Sequence, residues 1–340
     1  MLRLVGVLLL VLALSGCGAA NSALWSFADE SIIQPVSYLA YVNHQFQLNV
    51  DFEQALPLMG FDRASEAGFT GEGVPVLIID FFGQRDSWGS EHGWAVLETL
   101  MAVAPHAEYW RLDLDQIMAD IQRDLNEPFD PVLRALYQAL RFWSSAGQVV
   151  INMSFGYIET SGLCTSGNKY HASIHSTIKR LWNNNINLVA SAGNGGKFFP
   201  MYPACMPQVM AVGSIYDEDV EFAEWAENEA TGFSGCTDTE VHTGDITCFS
   251  NRGEIYAVGA FAEGYEHYQG QQPFTGTSLA SPLAAGAIAL LREAGLSAQG
   301  ARKRLSDTAT RTQHGSVVYR VLNVAAALAG QAPVPLQTHE

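Results

Sequence analysis

The sequence predicts an α/β fold: a doubly wound, mostly parallel sheet with helices on both faces, giving three layers. Two observations predict it. Apolar runs of strand length recur without polar alternation, which is typical of strands buried on both faces of a sheet. Segments with helical spacing separate these runs. The predicted buried strands are Val74 to Asp80, Glu108 to Leu114, Val149 to Met153, Leu188 to Ser191, and Val209 to Val212.

Besides the segment that follows His92, three segments have helical patterns. The segment Pro131 to Ser145 begins with a proline, which suits the first turn of a helix. The segment Tyr170 to Asn185 ends in an asparagine-rich stretch that predicts a helix end. The third is a run of small and apolar residues from Leu283 to Leu291, long enough for a buried helix. Strands and helices therefore alternate along the chain, as a doubly wound sheet requires.

Length and charge limit the function classes. The 340 residues, 48% of them hydrophobic, suffice for one large core, so we expect one main domain at residues 53–330 and a short tail at 331–340. The formal net charge of −17 argues against a nucleic-acid partner.

An acidic insertion, residues 215–247, interrupts the strand and helix alternation. Its carboxylates could bind calcium, but they do not follow an EF-hand loop, and a solvated acidic face is favoured.

The N-terminus has the pattern of an export signal. Residues 1–16 contain Arg3 and an apolar stretch, Leu4 to Leu14, that is too short to span a bilayer. The four residues Leu14 to Cys17 resemble a bacterial lipobox, in which the cysteine is acylated, with palmitate among the chains, and becomes the mature N-terminus. Several acyl chains give stable membrane attachment. An ordinary cleaved signal with an incidental cysteine is the alternative.

The segment after Cys17 indicates where such a lipoprotein would reside. The residue after Cys17 is Gly18 in place of aspartate. By resemblance to the bacterial sorting pattern, this indicates the outer membrane, facing the periplasm or the cell surface. Residues 17–52 would form a lipidated tether. They contain Pro35 and no sustained period, and they look too short to fold alone.

Export implies an oxidising compartment, so the other four cysteines predict two disulfides rather than a metal site. Three pairings are possible. We favour Cys236 with Cys248, which closes a short loop, and this leaves Cys164 for Cys205. Each bridge would stabilise the fold by about 3 kcal/mol.

The block Gly276 to Pro282 reads Gly-Thr-Ser-Leu-Ala-Ser-Pro and opens the third helical run. A serine at such a helix start has its own N–H among the unsatisfied first-turn donors, where the helix dipole favours negative charge. Ser278 is therefore a candidate nucleophile. Taken alone, the block could equally be a plain helix start.

Three more candidates follow buried strands or begin helices. Asp80 ends a buried strand, and a buried carboxylate needs a partner such as histidine. His92, followed by Gly93 and a helical pattern, could act as general base and acid. Asn194, in a glycine loop directly after a strand, could donate to a developing oxyanion. Each residue alone also has an ordinary structural reading, as a capping aspartate, an incidental histidine or a turn asparagine.

Together these residues resemble a known family. Asp80, His92, Asn194 and Ser278 occur in the order that subtilisin-like serine proteases, the subtilases, use. The resemblance extends from about Ala67 to Leu328. The segments that match between the four residues are Val150 to Gly156, Tyr202 to Ala204, Val209 to Ser214, and Phe249 to Gly253.

The resemblance implies a serine endopeptidase that acts on proteins or peptides, needs no cofactor and is a monomeric domain. Ser278 would attack the peptide carbonyl, His92 would transfer the proton, and Asp80 would orient His92. Asn194 and the Ser278 N–H would form the oxyanion hole. The implied substrate-binding residues are Ser154, Phe155 and Gly156, which would pair with an extended substrate, together with Ala192, Gly193 and Met201.

The chain departs from the subtilisin pattern at several points. Only twelve positions separate Asp80 from His92, which predicts a tight loop, and Trp94-Ala95 stands where Thr-His is usual. Met201 stands where subtilisin-like sequences often have glycine at the base of the primary specificity pocket, so we expect a preference for small residues before the scissile bond. No folded pro-domain is recognisable. The short loop and the altered His92 motif leave a catalytically silent lipoprotein, acting as a peptide-binding or scaffold module, as the alternative function. Ester hydrolysis is a third, because the triad alone would permit it.

Overall fold

The computed structural model describes residues 33–36, 52–83, 92–124, 131–143, 149–156, 164, 169–227, 233–260, 275–329 and 337–338. The predicted signal segment, Cys17 and most of the predicted tether lie outside these residues. The described strands form a ten-stranded sheet and a separate two-stranded sheet.

The large sheet is mostly parallel, as predicted. Its strands are β1 (Ile33–Pro35), β2 (Pro75–Asp80), β3 (Glu108–Asp113), β4 (Val150–Met153), β5 (Asn187–Ser191), β6 (Val209–Tyr216), β9 (Ile255–Ala260), β10 (Thr310–His314), β11 (Val317–Val321) and β12 (Gln337–Thr338). Their spatial order is β1-β3-β2-β4-β5-β6-β9-β11-β10-β12. The seven strands from β3 to β11 in this order are parallel, whereas β1 runs antiparallel to β3 and β10 runs antiparallel to β11; the edge strand β12 is parallel to β10.

Helices cover both faces of the sheet. They are α1 (Ala55–Met59), α2 (Phe61–Glu66), α3 (His92–Val103), α4 (Leu114–Asp124), α5 (Pro131–Phe142), α6 (Lys169–Asn183), α7 (Thr277–Glu293), α8 (Ala298–Thr308) and α9 (Val324–Ala329). One core cluster lies between the sheet and a layer that includes α3 and α7, and a second lies between the opposite face and α4, α5 and α6. The predicted three-layer architecture is confirmed.

The predicted acidic insertion contains regular structure. Strand β6 continues to Tyr216, four residues beyond the predicted end, and the segment after it forms an antiparallel hairpin of β7 (Val220–Trp225) and β8 (Cys236–Val241). Ala223 and Trp225 are buried on its inner side, where they pack with Tyr216 and Phe249 in a third small cluster. Side chains that alternate between buried and exposed are what a two-stranded ribbon with one covered face requires.

The structure pairs the cysteines as the sequence favoured. Cys236 is bonded to Cys248, at the end of the hairpin, and Cys164 is bonded to Cys205. Among the described residues, no group of three or more histidine, cysteine or acidic side chains is arranged to hold a metal ion. Within the same residues, no single helix has both the length and the hydropathy needed to cross a bilayer, although the bent pair of α7 and α8 together passes that test by length and composition.

Candidate active site

The carboxyl ends of the parallel strands carry the first candidate residue. Asp80 is the last residue of β2 and is fully buried. Its Oδ1 accepts hydrogen bonds from the backbone N–H of Phe81 at 2.8 Å and from His92 Nδ1 at 2.7 Å. Within the described residues, Oδ2 has no hydrogen-bond partner. The buried charge is therefore compensated on one oxygen, and mainly by the imidazole.

His92 begins α3, and the short connection to β2 is closed by the backbone. The N–H of Gly93 donates to Phe81 O at 2.9 Å, so the start of the helix is bonded directly to the turn that follows Asp80. A Cβ at position 93 would lie 2.8 Å from Phe81 O, which explains why glycine follows the histidine. The predicted tight loop thus brings Asp80 and His92 into contact, although residues 84–91 lie outside the described part of the chain.

The electrostatics of His92 favour its protonated form. Burial lowers the pKa of His92, but the negative charge of Asp80 and its hydrogen bond outweigh that effect, so the pKa lies above the ordinary value of 6.5. The ring is still 27% exposed to solvent. It can therefore exchange a proton with a bound molecule.

Two further carboxylates lie next to Asp80. Asp113, at the end of β3, is the register partner of Asp80, and its Oδ1 accepts the N–H groups of Phe82 at 3.2 Å and Asp115 at 3.0 Å. Partial burial and then the charge of Asp113 raise the pKa of Asp115. Asp113 fixes the turn after Asp80 from the neighbouring strand, a role that the sequence did not reveal.

Ser278 lies in the first turn of α7. The helix begins at Thr277, so Ser278 is its second residue rather than the residue before it, and Gly276 precedes the helix with a φ of 125°. Only glycine adopts this φ readily, and a Cβ at Gly276 would lie 2.9 Å from Asn194 Nδ2. The side chain of Ser278 is partly exposed, and its Oγ donates to Ser154 O at 2.9 Å.

Pro282 explains a second hydrogen bond between Ser278 and Ser154. A proline within a helix has no N–H, so the carbonyl four residues earlier, that of Ser278, loses its helical donor. Ser154 Oγ donates to this carbonyl at 2.7 Å. Ser154 in turn accepts from Asn152 Nδ2 at 2.9 Å, and Asn152 Oδ1 accepts from Ser281 Oγ at 2.8 Å. A buried chain of hydrogen bonds thus holds the first turn of α7 against β4.

Asn194 is oriented by the residue before Ser278. Its Oδ1 accepts from the backbone N–H of Thr277 at 2.9 Å and from Thr277 Oγ1 at 2.8 Å. Thr277 Oγ1 itself accepts from the N–H of Gly193 at 3.0 Å. Because the amide oxygen of Asn194 is used in both bonds, its Nδ2 is the end that can donate to a ligand. Thr277 lay inside the motif, but the sequence did not indicate this role.

Met201 lies between the two segments expected to bind substrate. A Cβ at Gly193 would be 2.6 Å from Met201 Cγ, and a Cβ at Gly156 would be 3.1 Å from Met201 Cβ and 3.3 Å from Met201 Cε. The N–H of Met201 donates to Ala192 O at 2.8 Å, which fixes its place. The methionine therefore fills the space between these two glycines. Ser154, Phe155 and Gly156 directly follow β4.

Comparison with known families decides the assignment. The family model described as the subtilase family, within the S8 peptidases, matches residues 129–321, more than half of the chain. The chain belongs to the subtilase family. This subtilase is 26% identical over 289 residues to subtilisin DY of Bacillus licheniformis, covering 75% of this chain and 90% of that protein. It is 23% identical to thermitase of Thermoactinomyces vulgaris over 177 residues, 52% of each chain.

Solved structures agree on the fold. The prenylagaramide maturation protease PagA has a TM-score of 0.53 at 20% identity and covers 79% of this chain and 97% of its own. The match to a lanthipeptide protease has a TM-score of 0.53 at 17% identity and covers 82% of this chain and 95% of that protease. The predicted family and fold are thus confirmed, and with them the class of serine endopeptidase. The match to the family model begins after Asp80 and His92, which lie outside it.

Proposed function

We propose that this subtilase hydrolyses peptide bonds through an acyl-enzyme formed on Ser278, with His92 as general base and acid and Asp80 as the residue that orients it. The contact between His92 Nδ1 and Asp80 Oδ1 is the observation that carries the proposal. It leaves Nε2 as the ring nitrogen that can take a proton from a serine.

The reaction starts with a rotation of the nucleophile. Ser278 Oγ donates to Ser154 O in the described state and has to turn about its Cα–Cβ bond to donate to His92 Nε2. The oxygen then attacks the peptide carbonyl while His92 takes its proton. The tetrahedral intermediate collapses as His92 returns that proton to the leaving amine. Water repeats the two steps on the ester, releasing the acid and the free serine.

Two donors support stabilisation of the oxyanion. Asn194 Nδ2 is the available end of an amide whose oxygen is held by Thr277. The N–H of Ser278 lies in the first turn of α7, where helix N–H groups have no intrahelical acceptor. Loss of the asparagine donor should reduce kcat by about 100- to 1,000-fold, the magnitude known for the oxyanion-hole asparagine of a subtilisin.

The substrate is, on this proposal, an extended polypeptide that pairs with Ser154 to Gly156 and places a small side chain near Met201. β-strand addition of this kind uses backbone hydrogen bonds for affinity and side-chain pockets for specificity. The triad itself uses no cofactor. A monomeric domain attached to the membrane through lipid on Cys17 completes the proposal, and Cys17 lies outside the described residues.

Covalent labelling tests the central step. A fluorophosphonate probe reacts with a serine only where a base and an oxyanion hole activate it. We expect the full chain to be labelled, and Ser278→Ala to abolish labelling. Ser306→Ala is the matched control, because Ser306 is a half-buried helix serine like Ser278 but donates to Glu254, away from the site. Its labelling should persist.

The result also separates the alternatives. A folded protein that is never labelled supports the silent peptide-binding lipoprotein, for which the Ser278 bond to Ser154 O is the favourable observation. Labelling that survives in Ser278→Ala contradicts the assignment of the nucleophile. A labelled enzyme that cleaves model esters but no peptide supports ester hydrolysis.

A further inference from the structure

We propose that Asn251 is a positioning residue for the oxyanion hole: its side chain holds the glycine loop that presents Asn194. The inference rests on the proposed function. Asn251 belongs to the segment Phe249 to Gly253, which follows β8 and precedes β9. Among the described residues, its side-chain hydrogen bonds go to the loop at residues 192–197 and not to Ser278 or His92.

Four hydrogen bonds join Asn251 to the loop at residues 192–197. Its Oδ1 accepts from the backbone N–H of Gly195 at 3.1 Å and of Lys197 at 2.8 Å. Its Nδ2 donates to Ala192 O at 3.0 Å. Its backbone N–H donates to Gly193 O at 2.8 Å. The residue is only 1% exposed, so water does not compete for these bonds.

These four hydrogen bonds, called the clamp below, hold a loop whose composition gives it little rigidity of its own. Gly193, Gly195 and Gly196 surround Asn194, and two of them have positive φ, 103° and 60°. Glycine loses the most conformational freedom on folding, and a glycine loop has no side chains to hold it in the core. Thr277 fixes the amide oxygen of Asn194, whereas Asn251 fixes the backbone before and after it. Between them the amide has one orientation.

The chemistry of the clamp calls for an amide. The same side chain has to accept from two N–H groups and donate to a carbonyl, and among side chains of this size a carboxylate or an aliphatic group cannot do both near neutral pH. A displacement of about 1 Å in a catalytic group can cost about 100-fold in rate. A loosened loop should therefore weaken stabilisation of the transition state much more than binding of the ground state.

A double-mutant cycle on the full chain tests the inference. We would measure kcat and KM on a peptide substrate for wild type, Asn251→Ala, Asn194→Ala and the double variant. Asn251→Ala should lower kcat by about 10- to 100-fold, with KM within about twofold. If Asn251 acts through Asn194, adding Asn251→Ala to Asn194→Ala should change kcat by less than about twofold.

Asn187→Ala is the matched control. Asn187 is 2% exposed and donates from Nδ2 to a backbone carbonyl, that of Ala298, at the opposite end of β5. Its loss should lower the melting temperature and leave kcat and KM within about twofold. This control separates loss of a buried asparagine from loss of the clamp.

The outcomes distinguish this inference from the proposed function. No turnover by wild type overturns the proposed function and this inference with it. If wild type is active and Asn251→Ala lowers kcat equally in wild type and in Asn194→Ala, only the role of Asn251 is overturned. A rise in KM alone has the same consequence. Should Asn251→Ala fail to fold, Asn251→Asp repeats the cycle, because it keeps the shape and both acceptor bonds while losing the bond to Ala192 O. It should lower kcat with KM within about twofold and show the same non-additivity with Asn194→Ala.

Discussion

His92 depends on one neighbour for its basicity. Burial alone would make the imidazole a weaker base, since the charged ring is worse solvated inside the protein. Asp80 reverses this by its charge and by a 2.7 Å hydrogen bond. The carboxylate at the end of β2 thus raises the pKa of this imidazole above its ordinary value.

The pH profile follows from this arrangement. A general base has to be neutral, so kcat/KM should rise with pH through an apparent pKa above 6.5, the ordinary value for histidine. Asp80→Asn removes the charge, so the same limb should shift to lower pH while kcat falls by about 10⁴-fold, the loss known for the corresponding substitution in a triad. Hydrolysis rates of a peptide substrate across pH 5 to 9 measure both. A limb that stays unmoved in Asp80→Asn would contradict the role given to Asp80.

The same raised pKa has a consequence for stability. A histidine that binds its proton more tightly when folded stabilises the fold fully below its unfolded pKa of about 6.5, and this contribution is lost as pH rises through the folded pKa. The pH range of greatest activity is therefore a range in which this pair stabilises the fold less.

The residues that the sequence revealed share one property: each is chemically conspicuous at the end of a strand or the start of a helix. Asp80 closes an apolar run and Ser278 opens another. Asn251, Thr277 and Asp113 were not assigned roles, because each acts through hydrogen bonds to the backbone of a loop distant in sequence. Such bonds have no local pattern. The segment containing Asn251 resembles the family, but such a resemblance does not identify the backbone groups to which a side chain is bonded.

At the level of elements, two helices bring the site together. Both α3 and α7 start at the carboxyl ends of parallel strands, so their first turns, with His92 and Ser278, lie at the same edge of the sheet. Gly286 lets the helices approach closely, because a Cβ there would meet the side chain of Val103. The short connection between β2 and α3 still allows the contact between Asp80 and His92.

Met201 leads to a prediction about which residues the substrate can have before the scissile bond. Met201 fills the space between the segment after β4 and the segment after β5, so wild type should prefer small residues before the scissile bond. Met201→Gly should open the space and raise kcat/KM for a phenylalanine substrate at least about tenfold relative to the alanine substrate, since filling a pocket with an aromatic ring is worth a few kcal/mol. Profiling on a peptide library with varied residues before the cleaved bond measures this.

Met201→Leu is the control for bulk. It keeps a large side chain at the same place and should keep the preference for small residues. Strong cleavage after phenylalanine or tyrosine by wild type, or an unchanged profile in Met201→Gly, would refute the assignment.

The elements that the sequence predicted well have a regular pattern of apolar residues. Strand β4 and the helix Lys169–Asn183 differ from expectation by one or two residues at their ends. The hairpin of β7 and β8 was not predicted, because acidic side chains alternate with its few buried residues and the pattern resembles a solvated loop. Burial of Ala223 and Trp225 depends on a third cluster that only the folded chain provides.

On the scale of the whole molecule, charge is unevenly distributed. Residues 198–251 contain ten acidic side chains and no lysine or arginine, so this segment contributes more than half of the net charge of −17. It also reaches the active site, since the N–H of Ser234 donates to Asn194 O at 3.0 Å.

Membrane attachment is the prediction that concerns the chain as a whole. If Cys17 is acylated, cells that express the full chain should incorporate labelled palmitate into it, and the mature N-terminal peptide should carry the mass of its acyl chains. Cys17→Ser should abolish the label. Catalytic constants of the purified variant should stay within about twofold of wild type, because Asp80, His92 and Ser278 are held by the sheet, α3 and α7.

Ser15→Ala serves as the matched control, since it alters the same short motif with another small residue and keeps the cysteine. It should remain labelled. Loss of label in Cys17→Ser alone distinguishes acylation at this residue from a general failure of export, which would affect both variants. An unlabelled wild type whose mature N-terminus lies elsewhere would instead identify an ordinary cleaved signal, and the enzyme would then act free of the membrane with the same catalytic residues.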